Sequence, residues 1–490
     1  MINKANKEGY GHMMDKNDYK ADTENGKLNR SLSTRQIQML AIGGVIGVGL
    51  FYGSATAVKL AGPGVLISFI LCGILAIIVM RSLGEMTVEN PVAGSFSHYA
   101  GEYLGSRIGF LTAGMWWFYW VATVMSELAA IGKLIQYWYP AFPVWLPGLI
   151  ALVLFTLSNL LAVRIFGEIE YWFAVLKVFA IAVFMVFGFL IIMTGVFNGG
   201  NPVGLTNLWV NGGFLPHGWL GVLATISLVV QVYSGIETLA VEAGESNNPA
   251  STMKKAFRSV SYRVFLFYVG SILIMLSAFP WTYVLESNVS PYVLLFAKIG
   301  IPFAAGLVNL IIILSAFSSC NTGIYGGSRM LYGMAEKGLY DQKFTRLNRN
   351  SVPHVAVWAT AIMISFGVLI TYLAPDNVYI WITSASAFAS LWTWGTILVS
   401  ELVFRHKANK ANRPLQYRIP FWPVLPIIGL VMVLIAFIAI ATSPLTKISV
   451  FGGISWLVLL IIYYEVKVKR RMKGMNWIAE EKDSSQVDIL

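Results

Sequence analysis

The chain of 490 residues is 57% hydrophobic and only 12% charged, where a soluble domain carries about 25% charged residues. Its mean hydropathy is +0.67, which excludes an ordinary water-soluble domain and points to an all-α protein that crosses a membrane many times. The net charge of +11 would suit a nucleic-acid binder, but the basic residues cluster between apolar runs, where cytoplasmic loops carry them. Cys72 and Cys320 lie in apolar or helical surroundings, without the spacing of a disulfide framework or a metal site.

The first 36 residues are polar and read as a disordered cytoplasmic tail with no cleavable signal peptide. Apolar runs of spanning length follow at 37–57, 63–83, 109–137, 144–163, 171–195, 219–242, 262–280, 302–325, 355–374, 378–403, 424–442 and 449–466. That predicts about twelve transmembrane helices, the third and eighth long enough to tilt or project. With both termini cytoplasmic, all but five of the 35 lysines and arginines fall on the inner side. Lys59, Lys298 and Lys447 face outward, and Lys133 and Lys177 lie inside spans. The expected organisation is a core at 37–404, split into halves 37–200 and 210–404, two appended helices at 405–468, and a cytoplasmic tail at 469–490.

Span one contains Gly43-Gly44-Val45-Ile46-Gly47-Val48-Gly49-Leu50-Phe51. Each glycine weakens a helix by roughly 1 kcal/mol relative to alanine, and unwound backbone at membrane depth survives only in a protein interior or a cavity. A half-helix starting near Gly49 would present free N–H groups at Gly47, Val48 and Gly49 to an anion. The half ending near Val45 would offer carbonyls to a cation. One broken helix would thus hold both ends of a zwitterion. The competing reading is that Gly43 and Gly47 form a small-residue packing face.

Span six carries Gln231-Val232-Tyr233-Ser234-Gly235-Ile236-Glu237, a second interruption five spans later. An odd offset makes the second unit enter from the opposite side, the geometry of an inverted repeat that holds its ligand at mid-membrane. Carbonyls of Gln231 and Ser234 would complete the cation site. Tyr233 would cover the ligand, or else be a packed aromatic. Glu237, an acid inside a span, would cap the break or belong to an inner gate.

Lys177, about two turns into span five, is a candidate proton carrier, with snorkelling to the interface as the alternative. Glu127 in span three is a candidate for the gate or the side-chain pocket. Arg81 and Glu85, with Arg164 and Glu168, flank cytoplasmic ends and read as solvated or gate-forming charges.

These segments also carry a likeness. The chain resembles amino acid permeases of the amino acid–polyamine–organocation superfamily, in the bacterial amino acid transporter branch. The likeness lies in GGVIGVGLF (43–51), the stretch 61–86 ending in MRSLGEM, PVAGSFSHY (91–99), VRIFGEIEYWFAVLK (163–177), SGIETLAVEAGESNNP (234–249) and SRMLYGMAEKG (328–338). The resemblance implies a five-plus-five inverted repeat of the LeuT type with two extra helices, and proton symport of amino acids. It implies that N–H groups of Val48 and Gly49 meet the substrate carboxylate; Gly47 and Gly235, read from the breaks themselves, complete the expected substrate-binding set. It further implies that carbonyls of Val45, Gln231 and Ser234 meet the ammonium. Lys177 matches a lysine standing where sodium-coupled relatives bind their ion, which favours protons. Where the family usually has threonine this chain has Val48, losing a hydroxyl but keeping the backbone donor.

Segment 125–140 looks like aromatic and threonine/serine carriers, and 51–63 like proline and threonine/serine carriers. The expected substrate is a neutral L-amino acid: threonine, serine or alanine first, then proline or an aromatic. Exchange of amino acids is the alternative to symport. The five histidines are scattered over tail and loops, against a metal-dependent membrane enzyme. No long soluble domain suggests a sensor, and no polar stripe suggests a channel. The expected partners are a free amino acid, a proton and membrane lipid in the cytoplasmic membrane, with no cofactor, metal, nucleic acid or obligatory protein partner.

Overall fold

Each predicted apolar run contains a helix, and glycine or proline marks most of the points where the chain turns. We describe the protein from a computed structural model, which describes residues 46–92, 94–161, 163–196, 199–243, 249–285, 290–298, 302–375 and 378–474. Gly43, Gly44, Val45, the N-terminal tail, most of the C-terminal tail and the side chains of Arg164, Glu168 and Lys298 lie outside the described residues.

A π-turn at Gly49–Gly53 leads into α1 (Ser54–Ala61), then α2 (Val65–Glu89), α3 (Ser95–Leu104) and α4 (Ser106–Ile135). Next come α5 (Trp145–Asn159), α6 (Val163–Thr194), α7 (Gly218–Tyr233), α8 (Thr238–Ala243) and α9 (Pro249–Ala278). Two short helices, α10 (Thr282–Leu285) and α11 (Pro291–Lys298), precede α12 (Pro302–Glu336), α13 (His354–Leu373) and α14 (Val378–Lys410). The chain continues with α15 (Val424–Thr442), α16 (Lys447–Tyr463), a π-turn at Tyr464–Val468 and α17 (Lys469–Gly474). No strand occurs among the described residues.

Among the described residues, nine helical stretches are long and apolar enough to cross a membrane, by length and composition; Trp145–Asn159 and Tyr262–Ala278 are shorter apolar helices. The nine include Gly49–Glu89 as one stretch of 41 residues. Gly62 lies inside it at φ +59°, a left-handed conformation that glycine adopts without strain.

Helix α4 lies at the centre, packed against α3, α5, α12, α13 and α14. Its Trp116 and Trp120, with Trp394 of α14, are among the largest fully buried side chains. The outer helices show the reverse pattern. On α6, Trp172, Phe179, Val186 and Met193 are all more than half exposed. Seven residues is nearly two helical turns, so they form one stripe. Such a stripe costs free energy in water and none in hydrocarbon.

Two features depart from the sequence reading. Helix α3 was not foreseen, because ten residues are too few to span; its Phe96, Tyr99 and Ala100 are buried at helical spacing. Helix α14 continues past its apolar run to Lys410, as α12, expected to tilt or project, does to Glu336. Hydropathy marks where a helix sits in a membrane, not where its backbone ladder ends.

Gly132 on α4 gives a stability test. A Cβ there would overlap the Val144 carbonyl oxygen and lie 2.7 Å from its carbon, and backbone cannot rotate away. Gly132→Ala is expected to lose about 1–3 kcal/mol through overpacking, read as a lower thermal midpoint of the purified protein. Gly333→Ala, where nothing lies within 4 Å, should leave that midpoint unchanged or raise it.

Candidate functional site

The first interruption begins at the edge of the described residues. Ile46 and Gly47 are non-helical, and the chain enters helical turns at Val48. Protein groups satisfy this irregular backbone. Ser315 Oγ donates to the Ile46 carbonyl at 2.9 Å, and Ser290 Oγ to the Phe51 carbonyl at 2.6 Å. The Val48 N–H donates to both carboxylate oxygens of Glu127, at 3.2 and 3.1 Å. A protein carboxyl group, that of Glu127, therefore already rests on the backbone donor that the sequence assigned to a ligand carboxylate.

The second interruption lies between α7 and α8. Ser234 is extended at ψ 152°, and Gly235 follows at φ +93°, where a side chain would be strained. Glu237 holds the break. Its carboxylate accepts from the Gly235 N–H at 3.1 Å and from the indole N–H groups of Trp116 and Trp394, each at 3.2 Å. Three donors on one buried acid fit the capping role.

Between the two breaks lies a cavity lined by Gly47, Gly49, Leu50, Tyr119, Trp120, Thr123, Ser126, Glu127, Gln231, Val232, Ser234, Ser319 and Tyr379. Its volume is about 20 Å³, room for roughly one water and less than any amino acid requires. The lining mixes aromatic faces with hydroxyl and amide groups. Gln231 Nε2 donates to Thr123 Oγ1 at 3.0 Å, while Gln231 Oε1 is buried without a hydrogen-bond partner.

The expected residues divide cleanly. Gly47, Gly49, Gln231, Ser234 and Glu127 line this cavity, and Val48 points its N–H at Glu127. Tyr233 does not line it. Its hydroxyl donates to the Phe69 carbonyl at 3.0 Å and its ring packs on Tyr268, so the packed-aromatic reading replaces that of a substrate cover. Gly235 and Glu237 sit behind the cavity wall. The Gln231 carbonyl, expected to be open, accepts the Ser234 N–H at 3.3 Å.

Lys177 is only 1% exposed and donates from Nζ to Ser318 Oγ at 2.7 Å. That burial removes the snorkelling alternative, since no part of the ammonium reaches a surface. Glu85 is fully buried too, paired with Arg405 and accepting the Ile419 N–H at 2.6 Å. It is not the solvated charge the sequence allowed. Sequence reasoning missed Glu170 and Ser318; Glu170 stands just before the apolar run 171–195, although α6 already begins at Val163, and a lone serine in a span carries no signal.

A family model described as Amino acid permease matches residues 36–476. The chain is 42% identical over 440 residues to the uncharacterized amino acid permease YtnA of Bacillus subtilis (strain 168), covering 89% of this chain and 95% of that protein. It is 38% identical to the probable threonine/serine transporter YbxG of the same organism, covering 90% and 96%. It is 37% identical to the aromatic amino acid transport protein AroP of Escherichia coli O157:H7, again covering 90% and 96%.

Proposed function

The chain belongs to the amino acid permease family, and from that premise we propose that it imports a neutral L-amino acid together with a proton. The family makes it an integral membrane transporter and not an enzyme. The single observation that carries the substrate reading is the cavity between two interrupted helices, with Glu127 on the Val48 amide at one break and the hydroxyl and amide groups of Thr123, Gln231 and Ser234 toward the other.

Twelve spans and an inverted repeat are part of this reading. A helix of 41 residues would run about 60 Å at 1.5 Å per residue, twice the hydrocarbon thickness. The turn at Gly62 therefore separates two spans. The shorter apolar helices Trp145–Asn159 and Tyr262–Ala278, in α5 and α9, are read as two more. The breaks then fall in spans one and six. Basic loops put both termini in the cytoplasm.

The substrate carboxylate takes the Val48 amide when Glu127 gives it up, and the ammonium takes carbonyls near the first break and at Ser234. Released Glu127 turns toward Lys177, which links amino acid binding to proton loading. Thr123, Ser126 and Gln231 favour a small or hydroxylated side chain. The threonine/serine name of one relative agrees with that order, and the aromatic name of another keeps larger substrates second.

The test is a competition panel. Radiolabelled threonine is taken up by proteoliposomes under an inward proton gradient, against each of the twenty amino acids in excess. Serine, alanine and threonine are expected to compete best, and collapse of the gradient to stop accumulation. Stronger competition by lysine, arginine or glutamate would overturn the neutral-substrate reading. Accumulation indifferent to pH would overturn the symport.

A further inference from the structure

A buried polar chain leaves the cavity region and runs to the turn after α5. Lys177 Nζ donates to Ser318 Oγ at 2.7 Å, and that hydroxyl donates in turn to a carboxylate oxygen of Glu170. Glu170 and Lys177 are seven residues apart on α6, nearly two turns, so they share one helix face. Glu170 is 0% exposed and faces Ser318, Asn321 and Thr322 of α12. Among the described residues, buried Asn159 Oδ1 has no hydrogen-bond partner. Thr322 lies one turn beyond Ser318 on α12. Asn159 Nδ2 donates to Asn321 Oδ1 at 2.9 Å, and Ser158 Oγ reaches the same oxygen at 3.3 Å. The next residues, Leu160 and Leu161, open to the exterior: Asn348 Nδ2 caps the Leu160 carbonyl at 3.0 Å, and Leu161 is 53% exposed.

We propose that Glu170 is the proton exit of this carrier, receiving the proton of Lys177 through Ser318 and handing it to water beside Asn159 and Thr322. The proposal rests on the reading of Lys177 as proton carrier. An uncompensated charge at this depth is costly. Two acids and one base, Glu127, Glu170 and Lys177, can pass a single proton among themselves without changing the net charge of the site. Among the described residues, the titratable groups facing Lys177 include Glu170 on its own helix, Glu127 on α4 and Cys320 on α12. Glu170 faces Lys177 and the neutral Ser318, Asn321 and Thr322 of α12.

The step balances. One N–H bond of the Lys177 ammonium breaks as an O–H bond forms on Ser318. The original Ser318 O–H bond breaks as one forms on Glu170. The products are a neutral amine, an unchanged hydroxyl and a carboxylic acid. Glu170 then releases the proton to water on the loop side and becomes a carboxylate again. Ser318 is required as a bridge, because a carbon in its place has no proton to relay.

The experiment uses the full-length protein in proteoliposomes with radiolabelled threonine. The quantity read is the ratio of gradient-driven uptake to counterflow exchange, which cancels losses of folded protein. Glu170→Gln is expected to lower that ratio at least about 10-fold, the lower end of what a positioned acid or base contributes being about 10²-fold. Glu170→Asp should recover much of it, and Ser318→Ala should lower it as Glu170→Gln does. A wild-type ratio in Glu170→Gln, with the wild type itself responding to the gradient, overturns the relay alone. Equal loss of uptake and exchange in Glu170→Gln and Glu170→Asp makes the residue structural and also overturns it. A wild type indifferent to the gradient removes the symport reading and the relay together.

Discussion

Lys177→Ala is expected to lose gradient-driven uptake by about 10²-fold or more, the range of a positioned proton donor or acceptor. The ammonium is 1% exposed and bonded to Ser318, so no solvent ion can stand in for it. Alanine also strands acids. Among the described residues, Lys177 is the cation that faces both Glu127 and Glu170, and breaking a buried ion pair costs about 3–5 kcal/mol. A fall in uptake alone would therefore not separate coupling from stability. Lys177→Arg does separate them. Arginine keeps the positive charge but does not release its proton in a protein. It should hold the thermal midpoint closer to wild type than alanine does, while gradient-driven uptake of threonine stays lost. If arginine restores that uptake, Lys177 serves as a fixed charge and carries no proton.

The second interruption was legible because a glycine and an acid, Gly235 and Glu237, interrupt an apolar helix, and Glu237 has no place in a span without donors around it. The structure meets that demand with two tryptophans from α4 and α14, which no local pattern could have named. Tyr233 shows the opposite limit. Sequence placed it beside the break, but helix phase decides which face it takes, and α7 turns it onto Phe69 and Tyr268. Lys177 stood out because a lysine in an apolar run is costly. Glu170 did not, because it sits seven residues earlier, where the run is only starting. Its role becomes visible only when α12 lays Ser318 between the two. Long-range pairing of this kind carries no periodicity, so hydropathy reveals the helices and not the chain of polar groups that joins them.

The glycines of the first interruption are not equivalent, and their difference gives the sharpest test of the binding site. A Cβ at Gly47 would overlap the Glu127 carboxylate and lie 2.9 Å from Ser319 Oγ. A Cβ at Gly49 would meet only Val232, at 3.4 Å, an ordinary contact. Gly47→Ala must push Glu127 off the Val48 amide, and a hydrogen bond to a charged group is worth about 1.5–3 kcal/mol. The added methyl also fills a cavity of about 20 Å³, so the substrate loses room at the amide it needs. The half-saturation concentration for threonine is expected to rise at least about 10-fold, which is 1.4 kcal/mol. Gly49→Ala should stay within a few-fold of wild type, whereas Gly49→Leu would run into Val232 and abolish uptake. If the glycines served only to pack α1 against its neighbours, the overlap at Gly47 would lower the thermal midpoint and leave half-saturation of the surviving protein unchanged. A half-saturation that rises in the surviving folded protein, whatever the midpoint does, is the signature of a backbone that touches the substrate. Equal behaviour of Gly47→Ala and Gly49→Ala would break the link between this geometry and binding, because only one of the two methyl groups reaches Glu127.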